Sequence, residues 1–302
     1  MKKSYNSFVQ DVVKELEQIL GSSYTVFCQE IEKNNRFTYQ AVMISDNIHN
    51  ASPCYNIENY YGLYEKPGDI KFIAEDIVKI YRQEAALDFP VGWLRDRNEI
   101  LSRVLLRIVS TDKNVDLLGN ISHHNLPELN LSILFYFFLE SNTNEHATML
   151  IYNRHMEIWE TSASELLEHA WKNTPLVMGH TITRMSEVLN GCTGFPDTKG
   201  FPEMFPPIYV ITNKHNLYGA ACILYPDVLK DIAQKLDSDF YILPSSVHET
   251  IAVPAETLDV NHANSLKAMI RGVNQSELTP EEILSDNVYC YCRKKHTLSL
   301  AV

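Results

Sequence analysis

Residues 206–254 read PPIYVITNKHNLYGAACILYPDVLKDIAQKLDSDFYILPSSVHETIAVP. Ile208–Thr212 predicts a strand, Asn213-Lys214-His215-Asn216 a turn, and Leu217–Leu224 a second strand that is apolar on both faces. Pro226 suits the first turn of a helix, where its fixed φ fits and its missing N–H would have no partner in any case. Asp227 places negative charge at the positive end of that helix, with Lys230 and Lys235 further along. Val228, Leu229, Ile232, Ala233 and Leu236 form an apolar stripe at helical spacing, and Asp237-Ser238-Asp239 ends it. Phe240–Leu243 and Val247–Val253 return as strands. A strand buried on both faces needs cover on both sides. The expectation is therefore a central strand at Leu217–Leu224 with the Val228–Leu236 helix packed on its sheet.

Outward from this stretch, both ends of the chain read as mixed structure. Ser4–Leu20 places Phe8, Val12, Leu16, Ile19 and Leu20 on one helical face, closed by Gly21. Tyr24–Ile31 and Phe37–Ile44 flank Lys33-Asn34-Asn35-Arg36 as a hairpin. Ile70–Ala86 predicts a second amphipathic helix, and Asp88–Arg97 a connector. Arg103–Val109 leans to strand. Leu129–Leu139 and Glu145–Tyr152 form a second hairpin whose first strand is central. Ser162 or Ser164 caps a helix ending near Asn173-Thr174-Pro175, because the residue before proline avoids helical geometry. Gly191–Pro207 reads as a long loop, of the kind that is often functional. Asn264–Val273 is helical, Thr279-Pro280-Glu281-Glu282 starts a further helix, Val288–Cys292 is a strand, and His296–Val302 a frayed tail. The expected class is α+β, with mixed, mostly antiparallel sheets and flanking helices. The expected division is an N-terminal helix-hairpin-helix part at 1–97 and a C-terminal hairpin and strand-helix-strand part at 98–302.

The 302 residues carry a formal charge of −12 without a basic block, which argues against nucleic acid and anionic membranes as partners. The six cysteines make no dense framework, the N-terminal MKKSYNSFVQDVVKELEQ lacks the apolar core of a signal peptide, and Leu131–Leu139 is too short to span a bilayer. A reduced, cytoplasmic protein is expected.

The whole chain resembles a bacterial family, domain of unknown function 5688, known from gut Clostridia. The resemblance rests on SPCYNIENYYGLYE at 52–65, NTP at 173–175, PIYVITNKHNLYGAACILYPDVL at 207–229, LDSDFYILPSSVHETI at 236–251 and TPEEILSDNVYCY at 279–291. The C-terminal half is distantly similar to a second such family, domain of unknown function 1444. The resemblance implies a soluble bacterial cytoplasmic protein and brings no catalytic residue or cofactor with it.

The candidate chemistry is sparse. No histidine pair has metal-site spacing on a helix, and Cys290-x-Cys292 has no second pair to complete a zinc site, so no metal is expected. No glycine-rich phosphate loop occurs, so neither a nucleotide nor any other cofactor is expected. Cys192, in a glycine-bearing loop with His180 close in sequence, is a candidate nucleophile, although a reactive thiol also needs a depressed pKa. Ser246, His248 and Glu249 bring a hydroxyl, an imidazole and a carboxylate together, but adjacency is not the geometry of a triad. On a regular strand Glu249 would share a face with Val247, Ile251 and Val253, a conflict that a bulge, an ion pair or a pocket mouth resolves. Tyr55, Tyr60, Tyr61 and Tyr64 form a candidate binding platform, the commoner use of such rings being to cap the edge of a core. The leading expectation is a non-enzymatic protein that binds another protein or macromolecule; the alternative is a hydrolase using Cys192 or the Ser246/His248/Glu249 neighbourhood.

Overall fold

The computed structural model describes residues 4–46, 52–66, 68–84, 89–141, 146–191, 207–255 and 262–301. The chain is α+β, and every strand pairing whose register is defined runs antiparallel. It divides into two units. The first comprises Met1–Lys33, Phe37–Trp93 and Phe138–Thr148; the second comprises Asn34–Arg36, Leu94–Phe137 and Met149–Val302.

In the first unit, Ser4 caps α1 (Tyr5–Leu20), accepting the Ser7 N–H on its hydroxyl, and Gly21 ends the helix at φ 79°. Strands β1 (Tyr24–Glu32) and β2 (Thr38–Asp46) form the expected hairpin, and β3 (Cys54–Asn56) pairs with the far edge of β2. Asn56 then caps α2 (Ile57–Leu63), and α3 (Asp69–Glu84) packs against α1. Phe8, Val12 and Leu16 recur at four-residue spacing on α1, and Ile70, Ile73, Ala74 and Ile77 share one face of α3 at three- and four-residue separations, so two helical stripes close over Val26, Val42 and Ile44 of the sheet.

The second unit contains α4 (Arg97–Arg103), β4 (Leu105–Ser110), α5 (Val115–Asn120), β5 (His123–Leu126), and most of β6 (Leu131–Glu140). Beyond these come the end of β7 (His146–Leu150), α6 (Asn153–Trp159), α7 (Ala163–Met178), β8 (Thr181–Arg184) and α8 (Met185–Gly191). Then follow β9 (Tyr209–Thr212), α9 (Val228–Leu236), β10 (Phe240–Pro244), β11 (Thr250–Pro254), α10 (His262–Glu277), β12 (Tyr289–Cys292) and β13 (Thr297–Leu300). Strand β6 lies between β4 and β5 and also pairs with β7. Its apolar residues on both faces are buried from Leu131 to Phe137, as its composition requires. A six-stranded sheet runs β13-β12-β10-β11-β9-β8, with β10 and β11 at its centre.

Several expectations are corrected. Leu217–Leu224 is not a strand: Asn216 and Tyr218 take left-handed φ values of 51° and 55°, and Gly219–Leu224 coils as a 3-10 segment. The run is buried as expected, but short apolar runs carry burial without choosing between coil and strand. Asn213 decides the geometry. Its side-chain carbonyl accepts the N–H groups of His215 (3.0 Å) and Leu217 (3.2 Å), and its amide donates to the Leu217 carbonyl (2.6 Å), which turns the chain back on itself. Helix α9 begins at Val228, after Asp227 in left-handed geometry, and buries Val228, Leu229, Ile232 and Ala233.

Helix α7 does not stop at Pro175 but continues to Met178, which is fully buried, and ends at Gly179. Tertiary bonds outweigh the local bias. Thr174 donates its hydroxyl to the Ala170 carbonyl (2.6 Å) and accepts the Leu106 N–H of β4 (2.9 Å). The Asn173 amide donates to the carbonyls of Leu101 (2.9 Å) and Val104 (3.1 Å), which α4 leaves free at its end. Further corrections are smaller. Arg103 is the last residue of α4 rather than the start of a strand, Thr279–Glu282 closes a capping box on one 3-10 turn only, and 297–300 pairs with β12 instead of fraying.

Two substitutions test these ties. Thr174→Val keeps the volume but leaves the buried Leu106 N–H without an acceptor, so it should lose about 1–3 kcal/mol in chemical denaturation, with Thr174→Ser retaining most of the stability. A Cβ at Gly219 would stand 2.3 Å from Thr212 Oγ1, 2.5 Å from the His248 carbonyl oxygen and 2.7 Å from the Asn213 nitrogen. Two of those atoms are backbone, so Gly219→Ala should cost about 1–3 kcal/mol of overpacking strain. An unfolding midpoint equal to the parent's would contradict that close approach.

Candidate functional site

The turn that ends β9 and the turn that precedes β11 meet in the second unit. Thr212 Oγ1 donates to the His248 carbonyl (2.8 Å), and the Ala220 N–H donates to the Val247 carbonyl (3.3 Å). Because Gly219 lacks a side chain, the 3-10 segment lies directly on this junction. Tyr218 is thereby set parallel to the His248 ring, with centroids 5.7 Å apart and planes at 11°. The Tyr218 N–H donates to His248 Nδ1 (3.1 Å), so a neutral ring carries its proton on Nε2. Tyr136 of β6 meets the edge of Tyr218 at 5.2 Å, and the guanidinium carbon of Arg107, from β4, lies 4.5 Å from the centre of the Tyr218 ring. Arg107 and His248 thus both lie against the Tyr218 ring, a column of three groups that are each half-buried.

The groups around this column are held neutral. Burial lowers the His248 pKa, against the opposing fields of Glu282 and Glu249 and with the help of Arg107. Burial also raises the Cys222 thiol to about 12 and pushes the phenols of Tyr136 and Tyr225 upward. Cys222 is accordingly a protonated core residue, not a nucleophile.

The Ser246, His248 and Glu249 side chains are near one another but are used structurally. Ser246 Oγ accepts the backbone N–H of His248 (2.9 Å), and Glu249 Oε1 accepts the Ser245 hydroxyl (3.2 Å). Neither contact joins a hydroxyl to the imidazole, as a triad requires. Glu249 precedes β11 on the turn, so the strand-face conflict does not arise; it is half-buried. His180 is exposed, and Cys192 lies outside the described residues, as does most of the 191–207 loop. The described residues hold no cluster of three or more His, Cys, Asp or Glu able to bind a metal ion.

The four tyrosines of 55–64 fall in the first unit. Tyr64 and Tyr55 are core residues, and Tyr60 and Tyr61 pack against the same core. Tyr61 lies edge-on to Tyr5 at 5.1 Å, and Tyr64 is 4.9 Å from Phe8. The row is thus mostly core, with Tyr60 at its margin donating to Asp76 Oδ2 (3.1 Å). Beside Tyr60 lies a surface groove of about 350 Å³, lined also by Leu63, Lys66, Asp69, Phe72 and Asp76. Leu63 and Phe72 are 77% and 72% exposed, an apolar pair from α2 and α3 that the helix stripes leave outside the core. Periodicity places both off the buried stripes, which was the available signal for them; Arg107, a lone cation in an apolar strand, was the corresponding signal for the column.

This is an α+β protein built on antiparallel sheets, with no assembled nucleophile, base and acid among the described residues. It belongs to the family of unknown function DUF5688, whose model matches residues 5–293. No curated protein and no solved structure matches the chain. None of the described helices is long and apolar enough to cross a membrane.

The depressed His248 pKa has a consequence for stability. The unfolded state binds the proton more tightly than the folded one, so the neutral ring's contribution is complete above the unfolded value of 6.5 and is lost as pH falls through the lower folded value. The stability of the parent relative to His248→Gln should therefore decline from pH 7.5 toward pH 5, with urea denaturation at each pH as the measurement. A difference independent of pH would contradict burial of the neutral ring.

Proposed function

We propose that this is a non-enzymatic binding protein of a bacterial cytoplasm, and that its first unit takes an apolar-anchored segment of another protein. The observation that supports the reading is the groove beside Tyr60. Large apolar side chains scattered singly on a surface are ordinary, but Leu63 and Phe72 border one concavity together. Its floor and rim supply Tyr60, Ile73 and the carboxylates of Glu65, Asp69 and Asp76, with Lys66 as the single cation among the described residues. Aromatic and aliphatic anchors within a polar rim are the composition of a protein-binding patch. The acidic excess favours a segment with basic residues flanking its apolar anchor. Asp69 and Asp76 are already engaged, with the Glu65 and Lys66 N–H groups and with the Tyr60 hydroxyl, which fixes the rim before anything binds.

No observation among the described residues favours the hydrolase alternative. The Ser246, His248 and Glu249 contacts are those of a folded turn, and Cys192, the thiol of that alternative, lies outside the described residues.

A photo-crosslinking residue in place of Phe72, introduced into the full chain in its host, tests the reading. The expected outcome is a discrete adduct that is absent with the crosslinker at Lys14, on the exposed face of α1, and strongly reduced by Leu63→Ser. Adducts equal at the two positions, or unaffected by Leu63→Ser, would end the proposal for this groove.

A further inference from the structure

Arg107 is in an unusual situation for a cation in a folded core. It is a single charged residue in β4, among Leu105, Leu106, Ile108 and Val109, all buried. Its Nε is buried and has no hydrogen-bond partner, and no carboxylate of the described residues lies in ion-pair range of its guanidinium. A buried donor left without an acceptor is costly, and more so when the group is charged. Native structures satisfy nearly all such groups with protein, water or a bound ion. Arginine cannot escape by losing its proton, as a lysine or histidine can.

The surroundings offer it a surface rather than a counterion. The guanidinium lies over Tyr218, itself stacked on His248 and braced at its edge by Tyr136. A guanidinium that meets an aromatic ring on one side still has N–H groups directed away from that ring and able to donate. Tyr218 cannot readily swing away, because its N–H is fixed to His248 Nδ1 and Gly219 is wedged against Thr212 and the His248 carbonyl. The result is a cation set against a fixed ring, its guanidinium unpaired among the described residues, in a chain of net charge −12.

We propose that the Arg107–Tyr218–His248 column is a binding site for an oxyanion, a phosphate or carboxylate group held in bidentate fashion by the Arg107 guanidinium against the Tyr218 ring. Fork-to-oxyanion pairing is the geometry that arginine is suited to, and it supplies both the counter-charge and the acceptors that the site lacks. Tyr218 and His248 are positioning residues: the Tyr218 ring, braced by His248, is the surface against which the guanidinium lies. The site is in the second unit and stands independently of the groove assigned to protein binding.

The test uses the nitrogen-15-labelled full chain. The Arg107 Nε–H cross-peak is assigned in the parent protein by its contacts to the Tyr218 ring protons, so the assignment requires no variant to fold. Sodium phosphate is then titrated at fixed pH, with sodium chloride holding the ionic strength constant. The expected result is a saturable displacement of the Arg107 Nε–H and Tyr218 amide peaks, without one at the exposed Arg82. In Arg107→Lys, which keeps the charge but loses the fork, the apparent dissociation constant read on the Tyr218 amide should weaken by about tenfold or more. Repeating the titration with sodium acetate separates the two sources, saturation with either anion supporting the site. Displacement linear in anion, equal at Arg82, absent with both anions, or unchanged in Arg107→Lys overturns it, an adventitious ion only being the conclusion in the second case.

Discussion

The close approach at Gly219 governs the arrangement of the second unit's chemistry. Three atoms of two other segments occupy the space where any side chain would start: Thr212 Oγ1, the Asn213 nitrogen and the His248 carbonyl oxygen. The contact joins the end of β9, the 3-10 segment and the turn before β11 at one point, and the Thr212 hydroxyl bond to the His248 carbonyl closes it. Everything in the aromatic column follows from that junction. Tyr218, one residue earlier, has its ring direction set by its left-handed φ of 55° and by the bond from its N–H to His248. Moving the backbone at residue 219 outward by a methyl radius would open the spacing between Tyr218 and His248, and with it the surface on which Arg107 rests.

A second feature recurs across the second unit: side-chain amides terminate elements where backbone partners run out. Asn173 satisfies the end of α4, Asn213 folds the turn after β9, and the Asn34 amide donates to the carbonyls of Glu281 and Ile283. Asn114 exchanges bonds with Asn35 and also reaches the Ser110 carbonyl, and Asn274 bonds Ser285 and Asp286. An amide carries donors and an acceptor without charge, so it can be buried at these joints at less desolvation cost than a carboxylate or ammonium. Each is worth about 1 kcal/mol net when made, but more than that is lost when one partner is removed and the other stays buried.

These joints also explain what was legible in the sequence. Elements fixed by their own periodicity or caps were readable: α1 from its stripe and Gly21, the β1–β2 hairpin from its turn, β6 from its double-faced apolar run, and α9 from Val228, Leu229, Ile232 and Ala233. Elements fixed by distant partners were not. Pro175 is a helix-stopping signal locally, and only the bonds from Asn173 and Thr174 to α4 and β4 carry α7 past it. Leu217–Leu224 has a strand's composition, and only the side chain of Asn213 and the space at Gly219 make it coil. Of the candidate site residues, His248 was legible as an imidazole beside the Ser246 hydroxyl and the Glu249 carboxylate, but the other members of its cluster, Arg107 and Tyr136, lie more than a hundred residues upstream. The tyrosines of 55–64 were legible as a cluster, while their division between core and groove margin depends on which helical face α1 and α3 cover.

Of the described side chains that lie against Tyr218, Arg107 carries the permanent charge. Cys222, Tyr136 and Tyr225 are all displaced by burial toward their protonated, neutral forms, and His248 toward its deprotonated, neutral form. A low-dielectric environment does this to any group that can exchange a proton. The guanidinium of Arg107 cannot, so the same environment that silences its neighbours leaves its charge in place. Glu249 and Glu282 bear on the cluster through their fields at His248 rather than through contact with Arg107. A nucleophilic site needs the opposite arrangement, a group whose ionised form is favoured and a base to receive its proton. Here burial disfavours the ionised forms of Cys222, Tyr136 and Tyr225, while the Tyr218 ring lies against a permanent cation. That distribution is suited to recognising an anion, and it follows from desolvation alone, with no assumption about what the anion is.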